Sequence, residues 1–292
     1  MQLTFDIARK MVPGRPEDGH KGTFGHLLVL GGARGFTGAV KLVSMAAARS
    51  GTGLVTAGIP QSLADVVATG LLEVMTHPLP GTQAETFAEE AIEPALVLAQ
   101  DKQAVVLGPG LSRHTETMHF VHGIVRRCPC PLLVDADGLN ALADDPGILR
   151  DAASAVVVTP HPGEMARLCG LGTSEIQADR EGIARDFASR YRCTVVLKGK
   201  GTVVAFPDEE ARHYVNTSGN DGLATGGTGD VLSGIIGGLL AQGMARDDAA
   251  ALGVFIHGRA GDIACASKTA RGMIAGDVIE ALPTAWYELE QG

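Results

Sequence analysis

The sequence predicts an α/β fold in which a mostly parallel central sheet carries helices on both faces. Short, continuous apolar segments alternate with helical ones along the 292 residues, and strands that are apolar on both sides are typical of a parallel sheet buried between helices. Hydrophobic residues make up 45% of the chain and charged residues 20%, which excludes a disordered chain. Because no linker, repeat or low-complexity block interrupts the pattern, residues 1–292 are predicted to form one domain.

The individual elements follow from local patterns. The first 25 residues are polar and rich in Pro and Gly, so residues 1–20 are predicted to form an N-terminal arm outside the core. Apolar runs predict strands at residues 26–30, 54–59, 104–107, 131–134, 155–158 and 194–197, followed by a β-meander over 202–215 with a turn at 207–210. Helices are predicted at residues 39–49, 84–100, 116–127, 175–192, 230–242, 247–266 and 275–289.

Composition and charge exclude several classes of partner. The net charge of −9 argues against nucleic acid as the main partner, and aromatic residues, at 4%, are too few for a base-stacking surface. A local basic pocket for a phosphorylated small molecule stays compatible with this charge. The five cysteines are odd in number and scattered, which predicts no disulfide framework. Neither an apolar signal core nor a run of about 18 apolar residues is present, so we expect a cytoplasmic protein without membrane attachment.

The sharpest motif is the glycine-rich segment 225–230, which reads TGGTGD and precedes an apolar helix. A glycine loop at a helix start offers free backbone N–H groups and the positive end of the helix dipole to an anion. The motif ends in Asp230, which is poorly suited to bind a phosphate directly because like charges repel. Asp230 is instead either a base that takes a proton from a hydroxyl attacking a phosphoryl group or a helix N-cap. The motif alone leaves these two roles equally open.

An earlier glycine loop, residues 31–38, also joins a strand to a helix. It fails the dinucleotide fingerprint GxGxxG because Ala33 takes the place of the second glycine, and the next strand ends without an acidic residue for a ribose. No Walker A motif occurs either. The segment by itself favours a tight turn between a strand and a helix.

Two polar clusters follow later strands, and each has two interpretations. In the first, Asp137 or Asn140 either caps a short helix or faces a ligand. In the second, His161 stands between two prolines, which indicates a rigidly held side chain, although a lone loop histidine is usually structural. Glu164 in the same cluster either binds Mg²⁺ through water or caps a helix.

Two glycine-containing segments, 108–111 and 198–202, follow the remaining strands. The second reads KGKGT and either holds phosphate or forms a cationic hairpin. Open parallel sheets place ligands at the carboxyl ends of their strands. Because five such clusters follow successive strands, they jointly predict a nucleotide-dependent site at this edge of the sheet.

Six ordered motifs carry a family resemblance, at residues 21–25, 31–39, 108–111, 135–140, 159–164 and 219–230. Together they resemble the ADP-dependent NAD(P)H-hydrate dehydratase family, a branch of the ribokinase-like superfamily, over about residues 20–285. The resemblance implies a ribokinase-like three-layer sandwich. It also implies an enzyme that dehydrates (S)-NADHX and (S)-NADPHX to NADH and NADPH while ADP becomes AMP and phosphate.

The resemblance assigns roles at matching positions. It implies that Ala39, Gly110 and His161 contact the hydrated nicotinamide, and that Asp230 binds the same substrate and serves as the catalytic base. The residues implied to bind the adenine nucleotide are Lys198, Gly199, Lys200, Gly201, Thr202, Gly227, Thr228 and Gly229. Asp221 stands where relatives often carry proline, and Ala33 where they often carry serine, but neither departure removes a catalytic group.

The resemblance also implies partners. These are Mg²⁺ as cofactor, ADP or else ATP as co-substrate, NAD(P)H-hydrate epimerase as functional partner, and a homotetramer. Some members carry an epimerase domain in the same chain, and we expect a stand-alone dehydratase here. The main alternative is a small-molecule kinase of the same superfamily, acting on a hydroxymethylpyrimidine or hydroxyethylthiazole. A nucleotide sensor would require loss of the base, and a nicotinamide oxidoreductase is disfavoured because the dinucleotide fingerprint fails.

Overall fold

A ten-stranded sheet runs through the computed structural model, which describes residues 1–291. The strands are β1 (Gln2–Leu3), β2 (His26–Leu30), β3 (Leu54–Pro60), β4 (Met75–Leu79), β5 (Ala104–Leu107), β6 (Leu132–Val134), β7 (Val156–Val158), β8 (Thr194–Leu197), β9 (Val203–Ala205) and β10 (His213–Asn216). Their spatial order is β1-β10-β9-β8-β7-β6-β5-β2-β3-β4. Among these strands only β9 runs antiparallel to its neighbours, which confirms the mostly parallel sheet.

The connections between strands are mainly helical. The helices are α1 (Phe5–Met11), α2 (Thr37–Arg49), α3 (Ala64–Ala68), α4 (Ile92–Ala99), α5 (Thr115–Arg127), α6 (Asp137–Leu142), α7 (Pro162–Cys169), α8 (Thr173–Ala178), α9 (Arg180–Tyr191), α10 (Thr228–Ala241), α11 (Arg246–Lys268) and α12 (Ala275–Gln291). Short 3₁₀ turns lie at Gln61–Leu63, Glu89–Ala91, Pro146–Asp151 and Asp221–Leu223.

Two hydrophobic cores lie on opposite faces of the sheet. Successive strand residues point to opposite faces, so Leu27 of β2 joins the core formed with α2, α10, α11 and α12, whereas Leu28 joins the core formed with α4, α5, α7 and α9. Each fully buried aliphatic side chain of this kind contributes about 1.5–3 kcal/mol relative to an exposed one. The predicted arrangement of helices on both faces is confirmed.

Helix α10 packs closely against both α2 and the sheet through its glycines. A methyl group on Gly234 would overlap the carbonyl oxygen of Val43 in α2, and one on Gly237 would overlap the side chain of Val106 in β5. A methyl group on Gly238 would lie 2.6 Å from Thr52 Oγ1 and 3.2 Å from Ala47 O. Residues without a side chain are therefore needed on this face, and their packing fixes the position of the α10 start relative to the strand ends.

The first eleven residues belong to the folded core, so the predicted arm over residues 1–20 is wrong for this segment. Strand β1 pairs in parallel with β10, and Leu3 and Ala8 are fully buried. Helix α1 packs on α11 and α12, with Phe5 edge-on to Phe255 at 6.2 Å between ring centroids. The segment buries only a few apolar side chains among polar ones, so its composition does not indicate that it belongs to the core.

Two predicted helices have different bounds in the structure. The helix predicted over residues 84–100 begins only at Ile92, because the preceding segment turns at Glu85 (φ +58°) and places Phe87 against Phe120. The helix predicted over 175–192 is interrupted at Asp179, whose non-helical backbone (φ −143°, ψ 67°) ends α8 and whose carboxylate accepts from Gly182 N to begin α9. Strands β1 and β4 and helices α1 and α3 were not predicted as elements, and α6 and α7 were predicted only as one of two interpretations of the polar clusters at their starts.

No helix within residues 1–291 has both the length and the apolar content needed to cross a bilayer.

Candidate active site

The carboxyl ends of β2, β5, β6, β7 and β8 bring the predicted clusters together at one edge of the sheet. Gly32 N donates to Pro109 O (2.9 Å), which joins the loop after β2 to the loop after β5. Lys198 N donates to Pro160 O (2.9 Å), which joins the loop after β8 to the loop after β7. These bonds join four loops in two pairs. The loop after β6 connects the pairs, because Asp137 Oδ2 accepts from Ser112 N and Asp135 pairs with Lys198, so the five clusters form one continuous site.

The centre of the site is a buried ion pair between Asp135 and Lys198. Lys198 Nζ lies 2.8 Å from Asp135 Oδ1, and Ser233 Oγ donates to Asp135 Oδ2 at 2.7 Å. Only 1% of Asp135 is exposed. Although burial acts to raise the pKa of Asp135, the Lys198 ammonium and these hydrogen bonds hold it below its usual value. Asp135 is therefore ionised and fixed between β6, β8 and α10.

Asp135 and Ser233 have no role predicted from the sequence. Asp135 directly follows the apolar run of β6, and Ser233 lies one helical turn after Asp230. This i, i+3 spacing places Ser233 on the same helix face as Asp230. The sequence alone could therefore have indicated that Ser233 lies near the site. What sequence could not show is that the hydroxyl of Ser233 contacts the carboxylate of Asp135, which lies 98 positions earlier in the chain.

The ammonium of Lys198 faces the start of α10. A methyl group on Gly229 would lie 3.5 Å from Lys198 Nζ, and Glu164 Oε2 lies 3.8 Å from the same atom. Burial acts to lower the pKa of Lys198, but Asp135 and Glu164 outweigh it and keep the pKa above its usual value. Two residues predicted to bind nucleotide, Lys198 and Gly229, are thus adjacent, and a permanent positive charge lies beside the glycine loop.

Asp230 occupies the first turn of α10, but it does not cap the helix. The N-cap position is Gly227, which has φ +90°, a conformation that favours glycine. Burial, followed by the charge of Asp135, raises the pKa of Asp230 from 3.8 to about 7. The capping interpretation is therefore wrong, and a carboxyl with this pKa is suited to accept a proton near neutral pH.

The glycine loop before α10 is stabilised from within by Thr228. Its hydroxyl donates to Leu223 O (2.7 Å) and to Thr225 O (2.9 Å). The backbone N–H of Thr228 also donates to Thr225 O, at 3.3 Å, so both polar groups of Thr228 hold the loop in shape.

His161 and Glu164 form a capping box at the start of α7. His161 Nδ1 accepts from Gly163 N and Glu164 N, and Glu164 Oε2 accepts from His161 N at 2.8 Å. Both residues therefore have the structural role that the sequence left open. Burial, followed by the charge of Lys198, lowers the pKa of His161, so the ring is neutral, and its Nε2 lies 3.5 Å from Glu164 Oε1.

The other open capping question concerned Asp137 and Asn140 in α6. Neither caps this helix, since the N-cap position is Ala136 (φ +51°). Asp137 Oδ2 accepts from Ser112 N at 2.9 Å, and Asn140 donates to Asp137 Oδ1 and accepts from Arg167 at 3.0 Å. The pair ties the loop after β5 to α6 and α7 beside the site.

Ala39 and Gly110 lie next to each other, as two residues that share a ligand should. A methyl group on Gly110 (φ +65°) would lie 3.2 Å from Ala39 Cβ and 2.8 Å from Phe36 O. Phe36, which precedes α2 beside them, is 57% exposed. The structure therefore brings together two predicted substrate contacts at the start of α2.

A divalent cation needs several oxygen or nitrogen ligands close together. No group of three or more His, Cys, Asp or Glu side chains within residues 1–291 could hold a metal ion. Burial raises the pKa of Glu164 to about 7, and its Oε2 is already used in the capping box. Glu164 therefore does not fit a resident metal site, and Mg²⁺ would reach this site carried by nucleotide phosphates and water.

Comparison with known proteins gives concordant matches. The family described as NAD(P)H-hydrate dehydratase matches residues 27–284. The chain is 43% identical over 289 residues to a bifunctional NAD(P)H-hydrate repair enzyme of Moorella thermoacetica, covering 99% of this chain and 54% of that protein. It is 42% identical to an ADP-dependent (S)-NAD(P)H-hydrate dehydratase of Neisseria meningitidis, covering 91% and 86%.

A solved structure matches over nearly the whole chain. It is the ADP/ATP-dependent NAD(P)H-hydrate dehydratase of Bacillus subtilis co-crystallised with ATP/Mg²⁺, with a TM-score of 0.85, 28% identity, and coverage of 99% of this chain and 98% of that one. The predicted ribokinase-like fold is confirmed. This chain spans about half the length of the bifunctional repair enzymes it matches. From the family match and these identities, the chain belongs to the NAD(P)H-hydrate dehydratase family.

Proposed function

We propose that this protein dehydrates (S)-NADHX and (S)-NADPHX to NADH and NADPH, coupled to the conversion of ADP to AMP and phosphate. The observation that carries the proposal is Asp230, a carboxyl with a pKa of about 7 in the first turn of α10, beside the ammonium of Lys198. A base and an anion-binding helix start at one place are what a hydroxyl needs in order to attack a phosphoryl group. The family match supports this chemistry.

The proposed reaction has three steps. Asp230 removes the proton from the C6 hydroxyl of the hydrated ring, and the oxygen attacks the terminal phosphoryl of ADP, so that a new P–O bond forms while the bond to AMP breaks. Phosphate is a better leaving group than hydroxide, and the ring nitrogen expels it as the C6–O bond breaks. Loss of a proton from C5 restores the dihydronicotinamide. No electron is transferred to or from an outside redox partner.

The surrounding residues support each part of this scheme. Backbone N–H groups at Gly227 and Gly229 would stabilise the phosphoryl oxygens, with Thr228 between them as a further nucleotide contact. Lys198, held by Asp135 at 2.8 Å, supplies a positive charge beside Gly229. Ala39, Gly110 and His161 would contact the hydrated nicotinamide, which places that ring at the start of α2 and α7.

The remaining nucleotide contacts are proposed at the turn after β8. They are Gly199, Lys200, Gly201 and Thr202. We propose Mg²⁺ as the counterion of the nucleotide phosphates, since the protein donor set is weak, and ADP as co-substrate, with ATP as its alternative. NAD(P)H-hydrate epimerase as functional partner, a homotetramer, a single domain and cytoplasmic localisation are proposed on the family resemblance. The bifunctional names of the longer relatives support the epimerase partner.

The experiment is direct. Hydrated NADH incubated with the protein, ADP and Mg²⁺ should regain the near-ultraviolet absorbance of NADH, with one AMP and one phosphate formed per cofactor repaired. The same assay with ATP ranks the two nucleotides. A hydrate that persists with both nucleotides, together with phosphorylation of a thiazole or pyrimidine alcohol, would show that the protein is a kinase instead.

A further inference from the structure

We infer that Arg180 is a positioning residue that shapes the nucleotide-binding turn 197–202 by holding its carbonyl oxygens. The inference rests on the proposed function only in naming ADP as the ligand of this turn. Arg180 is the first residue of α9, and its side chain reaches under the turn that joins β8 to β9. Nothing in the sequence motifs pointed to it.

One guanidinium makes three hydrogen bonds to this turn. Arg180 Nη1 donates to Lys200 O at 2.6 Å, while Nη2 donates to Leu197 O at 2.8 Å and to Lys198 O at 3.2 Å. The planar fork of an arginine can hold several acceptors at fixed angles, which a lysine ammonium on a flexible chain cannot reproduce. The three bonds therefore fix the shape of the turn as well as its position.

The fourth carbonyl of the turn is also occupied. Thr202 Oγ1 donates to Gly199 O at 3.0 Å, so every carbonyl oxygen from Leu197 to Lys200 has a partner within the protein. In contrast, none of the loop hydrogen bonds described for residues 1–291 uses the N–H of Gly199, Lys200 or Gly201 as donor. The turn thus has its acceptors satisfied and its donors unused.

This division matters for an anionic ligand. A carbonyl oxygen pointed at a phosphate repels it, whereas a backbone N–H attracts it. By drawing the carbonyls to one side, Arg180 leaves the amide donors of the turn for the nucleotide. Arg180 also forms no ion pair with a carboxylate within the described residues, so its positive charge adds to the field that attracts the phosphates.

Gly199 is the residue that lets the guanidinium approach. Its φ of +143° is one that side-chain-bearing residues rarely adopt, and a methyl group there would lie 3.0 Å from Arg180 Nη2. A substitution at Gly199 would disturb the same arrangement from the opposite side. Arg180 and Gly199 therefore form one structural unit, and both should affect nucleotide binding in the same way.

The test separates nucleotide binding from turnover. In Arg180→Lys the charge is kept but the three-carbonyl geometry is lost, so the Kd and KM for ADP should rise about tenfold. The KM for hydrated NADH and the kcat at saturating ADP should stay within about threefold. Arg150→Lys is the matched control, because Arg150 also bonds a main-chain carbonyl, Arg190 O at 2.7 Å, but outside the site. Arg150→Lys should leave every constant unchanged.

A second variant and a rescue guard against a general loss of structure. Gly199→Ala should weaken ADP binding in calorimetry to a similar extent, and millimolar guanidinium ion should restore part of the ADP affinity of Arg180→Ala. Unchanged ADP affinity in Arg180→Lys or in Gly199→Ala would overturn the inference, as would an equal rise in both KM values. If the wild type binds ADP but leaves the hydrate intact, the proposed function fails while the inference about Arg180 is still tested by calorimetry.

Discussion

Lys198 and Asp135 are joined by an ion pair of 2.8 Å that crosses the end of β7, because Asp135 follows β6 and Lys198 follows β8. The ion pair thereby fixes the ends of β6, β7 and β8 relative to one another. Ser233 adds a link from Asp135 to α10 at 2.7 Å. The atoms that stabilise the carboxyl ends of these strands thus also set the direction in which the Lys198 ammonium points.

Removing the charge of Asp135 should therefore affect both stability and activity. In Asp135→Asn the buried Lys198 ammonium loses its partner, and breaking a buried pair from one side costs about 3–5 kcal/mol. We expect a clear fall in the unfolding midpoint and a loss of most turnover. Glu93→Gln, which breaks the exposed pair of Glu93 with Arg127, is the control and should leave both quantities unchanged. A wild-type midpoint in Asp135→Asn would contradict this account.

Asp230→Asn tests the catalytic base. The substitution keeps the size of the side chain and removes its basicity, so kcat should fall at least about a hundredfold, while the Kd for ADP stays within a few-fold of the wild type. Stopped or discontinuous assays of AMP formation measure the first quantity and calorimetry the second. Near-wild-type turnover in this variant would exclude Asp230 as the base.

The pH dependence follows from the same carboxyl. Asp230 acts as a base only when ionised, and its pKa is raised to about 7, so kcat/KM should rise with pH and level off above about pH 7. Since the folded pKa lies above the ordinary value of 3.8, the stability linked to this group is complete below about pH 4 and is lost as the pH rises to 7. Asp230→Asn should consequently gain in unfolding midpoint over the wild type across that range.

Glu164 provides the control for the pH profile, because its pKa is also raised to about 7. Glu164→Gln can keep the hydrogen bond from His161 N and removes the second titration. If Asp230 is the base, the rise in kcat/KM persists in Glu164→Gln. A flat profile in that variant would transfer the pH dependence to Glu164.

Gly229→Val tests the glycine loop as the phosphate site. A side chain at Gly229 would project toward Lys198 Nζ, 3.5 Å from its Cβ, into the space where a phosphate would meet both. We expect the Kd for ADP to rise at least tenfold with an unchanged circular dichroism spectrum. Gly14→Val is the control, because a Cβ there meets nothing within 4 Å. Wild-type ADP affinity in Gly229→Val would exclude the loop as the phosphate site.

How much could be predicted from sequence differs between the sheet and the site. Strands β2, β3 and β5 to β8 were predictable, because a strand that is buried on both faces needs a continuous apolar run. Strand β4, with Thr76, His77 and Pro78 at the sheet edge, lacks that signal. Likewise, β1 and α1 bury too few side chains for composition to reveal them.

In the site, motif positions were predictable but their electrostatics were not. The pKa of Asp230 depends on burial and on Asp135 and Lys198, which are distant along the chain. Asp135 and Lys198 are themselves separated by 63 positions. Arg180 belongs to no motif, and its role depends on three carbonyl groups that any residue type would supply. Such relationships arise only once the strands have brought the loops together.

The glycine face of α10 has a consequence for motion. Gly234, Gly237 and Gly238 hold the helix backbone directly against α2 and the sheet, so the start of α10 cannot shift without opening the core on that face of the sheet. Amide hydrogens along α10 should therefore exchange with solvent only through global unfolding. The unused amides of Gly199, Lys200 and Gly201 should exchange quickly until ADP binds. The phosphate would then enter a site with two preorganised walls, α10 held by its glycine packing and the turn held by Arg180, so that little ordering of the backbone accompanies binding.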